Sequence, residues 1–203
     1  SYLYYCKKLH KTPSESFFKH TVYGLRAAYK VMGMEAKRVA LPQIKRDLKL
    51  PIVLSQEEVK RLLKAPKYLK HRLIIGMLYG CGLRSYELCN LKLADIDFDR
   101  KTVFIPKKKG KIDRYVPLST YLARGLKKYI RTENPQLYLF NSQATKDGES
   151  RGLTTNGIGW IIKENRSKIG SSKKITAHTL RHTYATHLLE DGVDIVSLKE
   201  LLG

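Results

Sequence analysis

Acidic side chains are scarce in this 203-residue chain: 18 Asp and Glu stand against 39 Lys and Arg, a formal charge of +21. An excess of this size favours a polyanionic partner, because each phosphate a protein neutralises releases condensed counterions. The plainer alternative is a basic protein that is merely soluble or rests on anionic lipid. The cations run from Lys7 to Lys199 instead of gathering in a tail, which fits a long binding surface better than a basic arm. Cysteine is sparse as well. Cys6, Cys81 and Cys89 are odd in number and show no CxxC spacing. With no signal-like start, this argues for free thiols in a reducing, cytoplasmic compartment and against a zinc site. Long apolar runs are missing: the longest, Leu73 to Leu83, is about half of what a bilayer span needs. No membrane partner is expected, and neither internal repeats nor low-complexity segments are found.

What is present reads first as helix. Thr12-Pro13-Ser14-Glu15 has the form of a capping box, and Phe18, Val22, Leu25, Tyr29 and Met32 follow as an amphipathic stripe that Gly33 is placed to end. Lys19, His20, Arg26 and Lys30 lie off that stripe and, on this segment alone, read as a solvated face. From Met34 the periodicity fails, and Lys37, Arg38, Lys45, Arg46 and Lys49 are interleaved with Pro42 and Pro51. The expected organisation is therefore a helical piece over 1–33, a basic linker over 34–53 and a larger domain over 54–203. In that domain Ser55-Gln56-Glu57-Glu58 opens a short helix, Leu69 to Gly80 reads as a buried helix, and another starts near Ser85. The period then changes to alternation. Ile96 with Phe98, Val103 with Ile105, and Tyr115 to Leu118 read as three antiparallel strands turned at Asp99-Arg100 and at Lys107 to Lys111. Helices resume at Ser119–Ile130, Thr154–Ile169, His178–Glu190 and Asp194–Leu202. The fold class is mainly α with a small antiparallel β-sheet.

Three basic clusters could carry chemistry. A glycine-rich turn delivers Arg84 to the start of a helix, with Glu87 one turn on to brace its guanidinium. A planar fork of donors near a helix N-terminus suits a phosphate oxyanion, although an exposed Arg–Glu pair is the common alternative. The turn at Lys107, Lys108, Lys109 and Lys111 concentrates repelling charges, and a hairpin lysine can donate a proton to a departing oxygen. Solvated lysines at hairpin tips are equally ordinary. The third cluster runs from Thr176 to Leu189 and places His178 and Arg181 three residues apart, on one face near a helix N-terminus. An imidazole beside a guanidinium suits proton transfer and oxyanion stabilisation in phosphoryl transfer. His178, His182 and His187 lack an accompanying carboxylate and HExxH spacing, so no metal is expected. Leu180, Tyr184 and Leu188 recur at spacings of four and read as core.

The run from His178 through Arg181, His182 and His187 to Gly192 and Asp194, closing on Glu200-Leu201-Leu202-Gly203, resembles the second conserved box of tyrosine recombinases. Gly82 to Leu88, with Asp95 and Asp97 behind it, resembles the first box, and Lys109 to Leu118 resembles the hairpin that carries the family's lysine. The three segments occur in the family's order. The resemblance covers Leu54 to Gly203; the helix before the basic linker is similar to the end of the family's helical core-binding domain. It implies a catalytic domain that exchanges DNA strands through a 3′-phosphotyrosyl linkage with neither metal nor other cofactor. Arg84 and Arg181 would clamp the scissile phosphate, Lys109 would be the general acid for the 5′ oxygen, and His178 would handle the nucleophile's proton. Lys107, Lys108 and Lys111 are adjacent candidates for the general acid. Glu87 and His182 would support the site. Candidate DNA contacts are Lys19, Arg26, Lys30, Lys37, Arg38, Lys45, Arg46, Lys107, Lys108 and Lys111. The family places its nucleophilic tyrosine shortly after the Leu-Leu-Gly motif, and none of the thirteen tyrosines holds that position. The expectation is thus a site-specific recombinase or integrase of a mobile element, represented without its nucleophile. It would work on double-stranded DNA as a homotetramer when complete, the fragment alone being monomeric. A catalytically silent DNA-binding relative and a type IB topoisomerase relative are the alternatives.

Overall fold

The computed structural model describes residues 5, 15–34, 36–37, 39–40, 50–106, 113–142 and 152–203. Contacts divide the chain into two compact units, Ser1–Lys49 and Leu50–Gly203. In the first unit α1 spans Glu15–Val31. Val22 is fully buried and Phe18, Leu25 and Tyr29 are half-buried, but Met32, expected on the same stripe, is 61% exposed. Met32 lies past the last helical residue, where the helical period no longer directs the side chain. Gly33, at φ +68°, ends the helix. Its N–H donates to Lys30 O and that of Met34 to Tyr29 O, satisfying carbonyls of the last turn. The capping residue expected at Thr12 lies outside the described residues.

The second unit is mainly helical with a small antiparallel sheet. Helices α2 (Gln56–Lys64), α3 (Leu69–Gly80) and α4 (Ser85–Cys89) lead through a 3-10 turn at Leu93–Asp95 to the strands. These are β1 (Ile96–Asp97), β2 (Thr102–Ile105) and β3 (Arg114–Pro117). Four helices follow: α5 (Thr120–Glu133), α6 (Thr155–Lys168), α7 (Ala177–Glu190) and α8 (Ile195–Leu202). Ser55, Ser119, Thr154, Thr176 and Asp194 each accept a main-chain N–H of the helix they precede, so these helices start sharply.

The sheet order is β1-β2-β3, with Ile96 opposite Val103 and Ile105 opposite Arg114. Phe98, expected in the first strand, lies in the turn instead. Asp97 Oδ1 accepts the N–H groups of Asp99 and Arg100 at 3.0 and 2.8 Å, so a side chain takes over from the ladder one residue early.

Helix α3 runs through the core, with Leu73, Ile74, Ile75, Met77 and Leu78 all buried. A Cβ on Gly76 would stand 2.7 Å from Leu122 Cδ2, so α3 and α5 approach more closely than a larger residue would allow. On another side α3 meets α7. There Leu54 is held by its main chain: its N–H donates to Thr183 Oγ1 at 3.1 Å and its carbonyl meets His187 Nε2 at 2.9 Å. His187 Nδ1 contacts Tyr79 Oη at 2.9 Å. A carbonyl only accepts, so Nε2 carries the proton, and in the neutral ring Tyr79 donates to Nδ1. Both nitrogens of His187 are thereby engaged in packing. Among the described residues no helix is long and apolar enough to cross a membrane.

Candidate active site

The site begins at the turn between α3 and α4. Gly82 has φ +59°, and a Cβ there would lie 2.5 Å from Tyr184 Cδ1, so a bare backbone is needed on both counts. The turn leaves Arg84 extended, at φ −74° and ψ 151°, immediately before α4. Glu87 reaches back one turn: its Oε2 accepts the Arg84 N–H at 2.8 Å and its Oε1 accepts Arg84 Nη1 at 3.0 Å. Sequence spacing anticipates this brace.

A second arginine on Glu87 was not anticipated. Arg114, the first residue of β3, donates from Nη1 to Oε1 at 3.0 Å and from Nη2 to Oε2 at 2.8 Å. This is a fork-to-fork pair with side-chain exposures of 5% and 13%. A signal for it exists in the sequence. Alternation puts Arg114 on the same side of the strand as buried Val116, and an inward-facing cation needs a partner.

Arg181, on α7, completes the group. Its Nη1 donates to Gly82 O at 2.7 Å and lies 3.8 Å from Glu87 Oε2. One carboxylate thus sits among three guanidinium groups, an unbalanced arrangement that retains positive charge for an oxyanion. Burial would raise the Glu87 pKa, but the Arg114 fork and the Arg84 main-chain N–H outweigh it and hold the carboxyl below its ordinary value. Burial, then the Arg84 charge, push the Arg181 guanidinium down to about 10, so it stays charged at neutral pH.

The same three arginines hold the end of α8. Arg114 Nε donates to Leu201 O at 2.9 Å, Arg181 Nη2 to Leu202 O at 2.5 Å, and Arg84 Nη2 to Gly203 O at 2.8 Å. The last carbonyls of a helix lack intrahelical partners and mark the negative end of its dipole, so cations are favoured there.

At the start of α7, one turn before Arg181, His178 is exposed and its Nε2 lies 2.8 Å from His182 Nε2. Such a contact needs one ring to donate and the other to accept. Partial burial first, then the charges of His178 and Arg181, hold His182 below the ordinary histidine value. The two rings are thus joined Nε2 to Nε2 by a single hydrogen bond, an arrangement through which a proton can be passed.

The structure thus brings Arg84, Glu87 and Arg181 together and sets His178 and His182 as a pair beside Arg181. Lys107, Lys108, Lys109 and Lys111 lie outside the described residues, as do Arg38, Lys45 and Arg46. In the first unit Arg26 donates from Nε and Nη2 to Val39 O, at 3.0 and 2.8 Å. Lys37 Nζ stands 5.7 Å from the centre of the Tyr29 ring. Lys30 is exposed and Lys19 half-buried on α1. Cys81 and Cys89 are free thiols; burial pushes them up to about 12 and about 11. Cys6 is outside the described residues.

Residues 53–203 match the phage integrase family. Tyrosine recombinase XerA of Thermococcus kodakarensis is 41% identical over 189 residues, 90% of this chain and 64% of that protein. The chain therefore spans a little under two thirds of that relative's length. A crystal structure of XerA recombinase superposes with a TM-score of 0.70 at 29% identity, covering 95% of this chain and 68% of that one. The Tn1549 transposon integrase, solved in complex with circular intermediate DNA, gives a TM-score of 0.75 at 21% identity, over 98% of this chain and 74% of its own. That last likeness is one of fold.

Proposed function

This chain belongs to the phage integrase family, and from that membership we propose that its second unit is the catalytic part of a site-specific DNA recombinase. The observation that carries the proposal is the convergence of Arg84 and Arg181 on Glu87, with the His178–His182 pair beside them. In this reading the two guanidinium groups bind the non-bridging oxygens of the scissile phosphate and stabilise the charge that builds on them. A tyrosine hydroxyl attacks phosphorus, His178 takes its proton, and the 5′ oxygen leaves with a proton from Lys109. The 3′-phosphotyrosyl bond keeps the phosphate activated, and attack by a 5′ hydroxyl on it later rejoins the strand and frees the tyrosine. His182 supports His178, and Glu87 holds the arginines. No metal or other cofactor takes part.

Double-stranded DNA is the partner, supported by the +21 formal charge and by the DNA carried by the Tn1549 integrase. The basic residues of 1–33 and of the 34–53 linker, Lys19, Arg26, Lys30, Lys37, Arg38, Lys45 and Arg46, add phosphate contacts outside the cleavage site, as do Lys107, Lys108 and Lys111. The complete enzyme works as a homotetramer on two duplexes, in the cytoplasm, for a mobile element. The nucleophile is not among the residues of the site. Tyr184 is enclosed within α7, and burial pushes its hydroxyl up to about 12.

The test is a nicked suicide duplex from the flanks of the gene, offered to the parent reading frame extended past Gly203. A covalent protein–DNA adduct on a denaturing gel is expected. No adduct with any flanking segment would leave the family's fold in use as a silent DNA-binding module.

A further inference from the structure

We infer that Arg114 is a positioning residue of this site: its fork fixes the Glu87 carboxylate, and through Glu87 the guanidinium groups of Arg84 and Arg181. The inference rests on reading those two arginines as the phosphate clamp. Arg114 itself is badly placed to touch DNA. Its side chain is 5% exposed, Nη1 and Nη2 are on Glu87, and Nε is on Leu201 O. Every nitrogen of the fork is therefore committed inside the protein.

The way Glu87 is shared gives the pair its role. Each carboxylate oxygen accepts once from Arg114 and once from Arg84, Oε1 from the Arg84 side chain and Oε2 from its main chain. Arg114 grips one edge of the carboxylate, so the other edge is presented in a fixed plane to Arg84. Arg181 lies 3.8 Å from the same Oε2. A pair serving only to fill space would gain nothing from charge, since apolar groups of similar volume stabilise a buried position as well or better.

Arg114 also opens β3, opposite Ile105, shortly after Lys109 in the sequence. One side chain therefore ties the start of β3, the Glu87 carboxylate on α4 and the end of α8. Displacing reacting groups by about 1 Å can cost about 10²-fold in rate, even when the altered residue lies outside the chemistry.

The experiment compares the parent full-length protein with Arg114→Lys, which keeps the charge and loses the fork. Anisotropy gives the Kd for labelled site DNA, single-turnover assays give the cleavage rate at saturating protein, and thermal unfolding checks the fold. The expected result is a Kd within about twofold of the parent and a rate lower by at least about 10-fold. A parent-like rate at saturation overturns the inference, and so does a weakened Kd with an unchanged rate, which would make Arg114 a DNA contact. If Arg114→Lys does not fold, the double variant Arg114→Met with Glu87→Gln replaces it, because it removes both charges of the buried fork together. That variant is expected to fold and to cleave slowly; parent-like cleavage by it overturns the inference equally. Failure of the parent to form any adduct is a different result: it removes the recombinase reading, and this inference with it.

Discussion

Substituting Glu87 by Gln is expected to lower the stability of the second unit by about 3 kcal/mol at neutral pH, near the lower end of what breaking a buried charge pair costs. The amide offers Arg114 one acceptor and one NH2 where two acceptors stood, so one of the contacts at 2.8 and 3.0 Å becomes donor against donor. The upper end does not apply, because the other close partner, Arg84, has a side chain 45% exposed and is screened by water. For a chain of this size a loss of that order lowers Tm by about 6–12 °C. Urea titration followed by Trp160 fluorescence reports on the relevant unit alone, since the chain has one tryptophan and it lies on α6.

The pH dependence gives a sharper check. The folded pKa of Glu87 lies below its ordinary value of 4.5. Its contribution is therefore fully present above about 4.5 and is lost as pH falls through the lower folded value. The stability gap between the parent and Glu87→Gln should be widest at neutral pH and should close on acidification. A loss below about 1 kcal/mol at pH 7, the scale of an exposed pair, or a gap that stays constant into the acid range, would refute the account of Glu87 as a buried hub.

Four other outcomes are expected. Arg181→Ala in the full-length enzyme should lower the cleavage rate at least about 10²-fold, the scale of losing a transition-state donor, read by single-turnover assays on site DNA. Gly82→Ala should destabilise by roughly 2–4 kcal/mol in the same urea titration, combining left-handed strain with overpacking against Tyr184. DNA binding by the 203-residue chain should weaken steeply between low and high salt, with a slope of log K against log salt reporting several phosphate contacts. Cys81 and Cys89 should react with a thiol reagent in the time course of unfolding and not before it, because both are buried and their thiols are pushed up.

The helices were legible where a capping side chain and an apolar period coincide, as at Ser55, Ser119, Thr154 and Asp194. Alternation alone extends the first strand to Phe98, because it carries no information on the Asp97 side chain, which closes the turn early. Met32 fits the α1 stripe in spacing, but the helix stops before it. In the site, the Arg84–Glu87 brace was readable because both ends lie within one turn of chain. The Arg114–Glu87 fork joins residues 27 apart, and Arg181 meets Gly82 O across 99. Sequence separations like these have no period to betray them, so only the folded sheet and α7 bring the partners into reach. An arginine among inward-facing strand residues was the available clue, and it names the residue without naming its partner.

The three arginines grip α8 by its main-chain oxygens at Leu201, Leu202 and Gly203, and none of these bonds uses a side chain of that segment. Every amino acid supplies the same oxygen. The bonds are therefore indifferent to which residues stand at 201–203 and strict about how many residues precede them. One residue inserted or deleted in α8 would rotate these carbonyls by about 100° and shift them by about 1.5 Å along the axis, turning them away from all three guanidinium groups at once. Drift in composition is harmless to this attachment; a change in length is not.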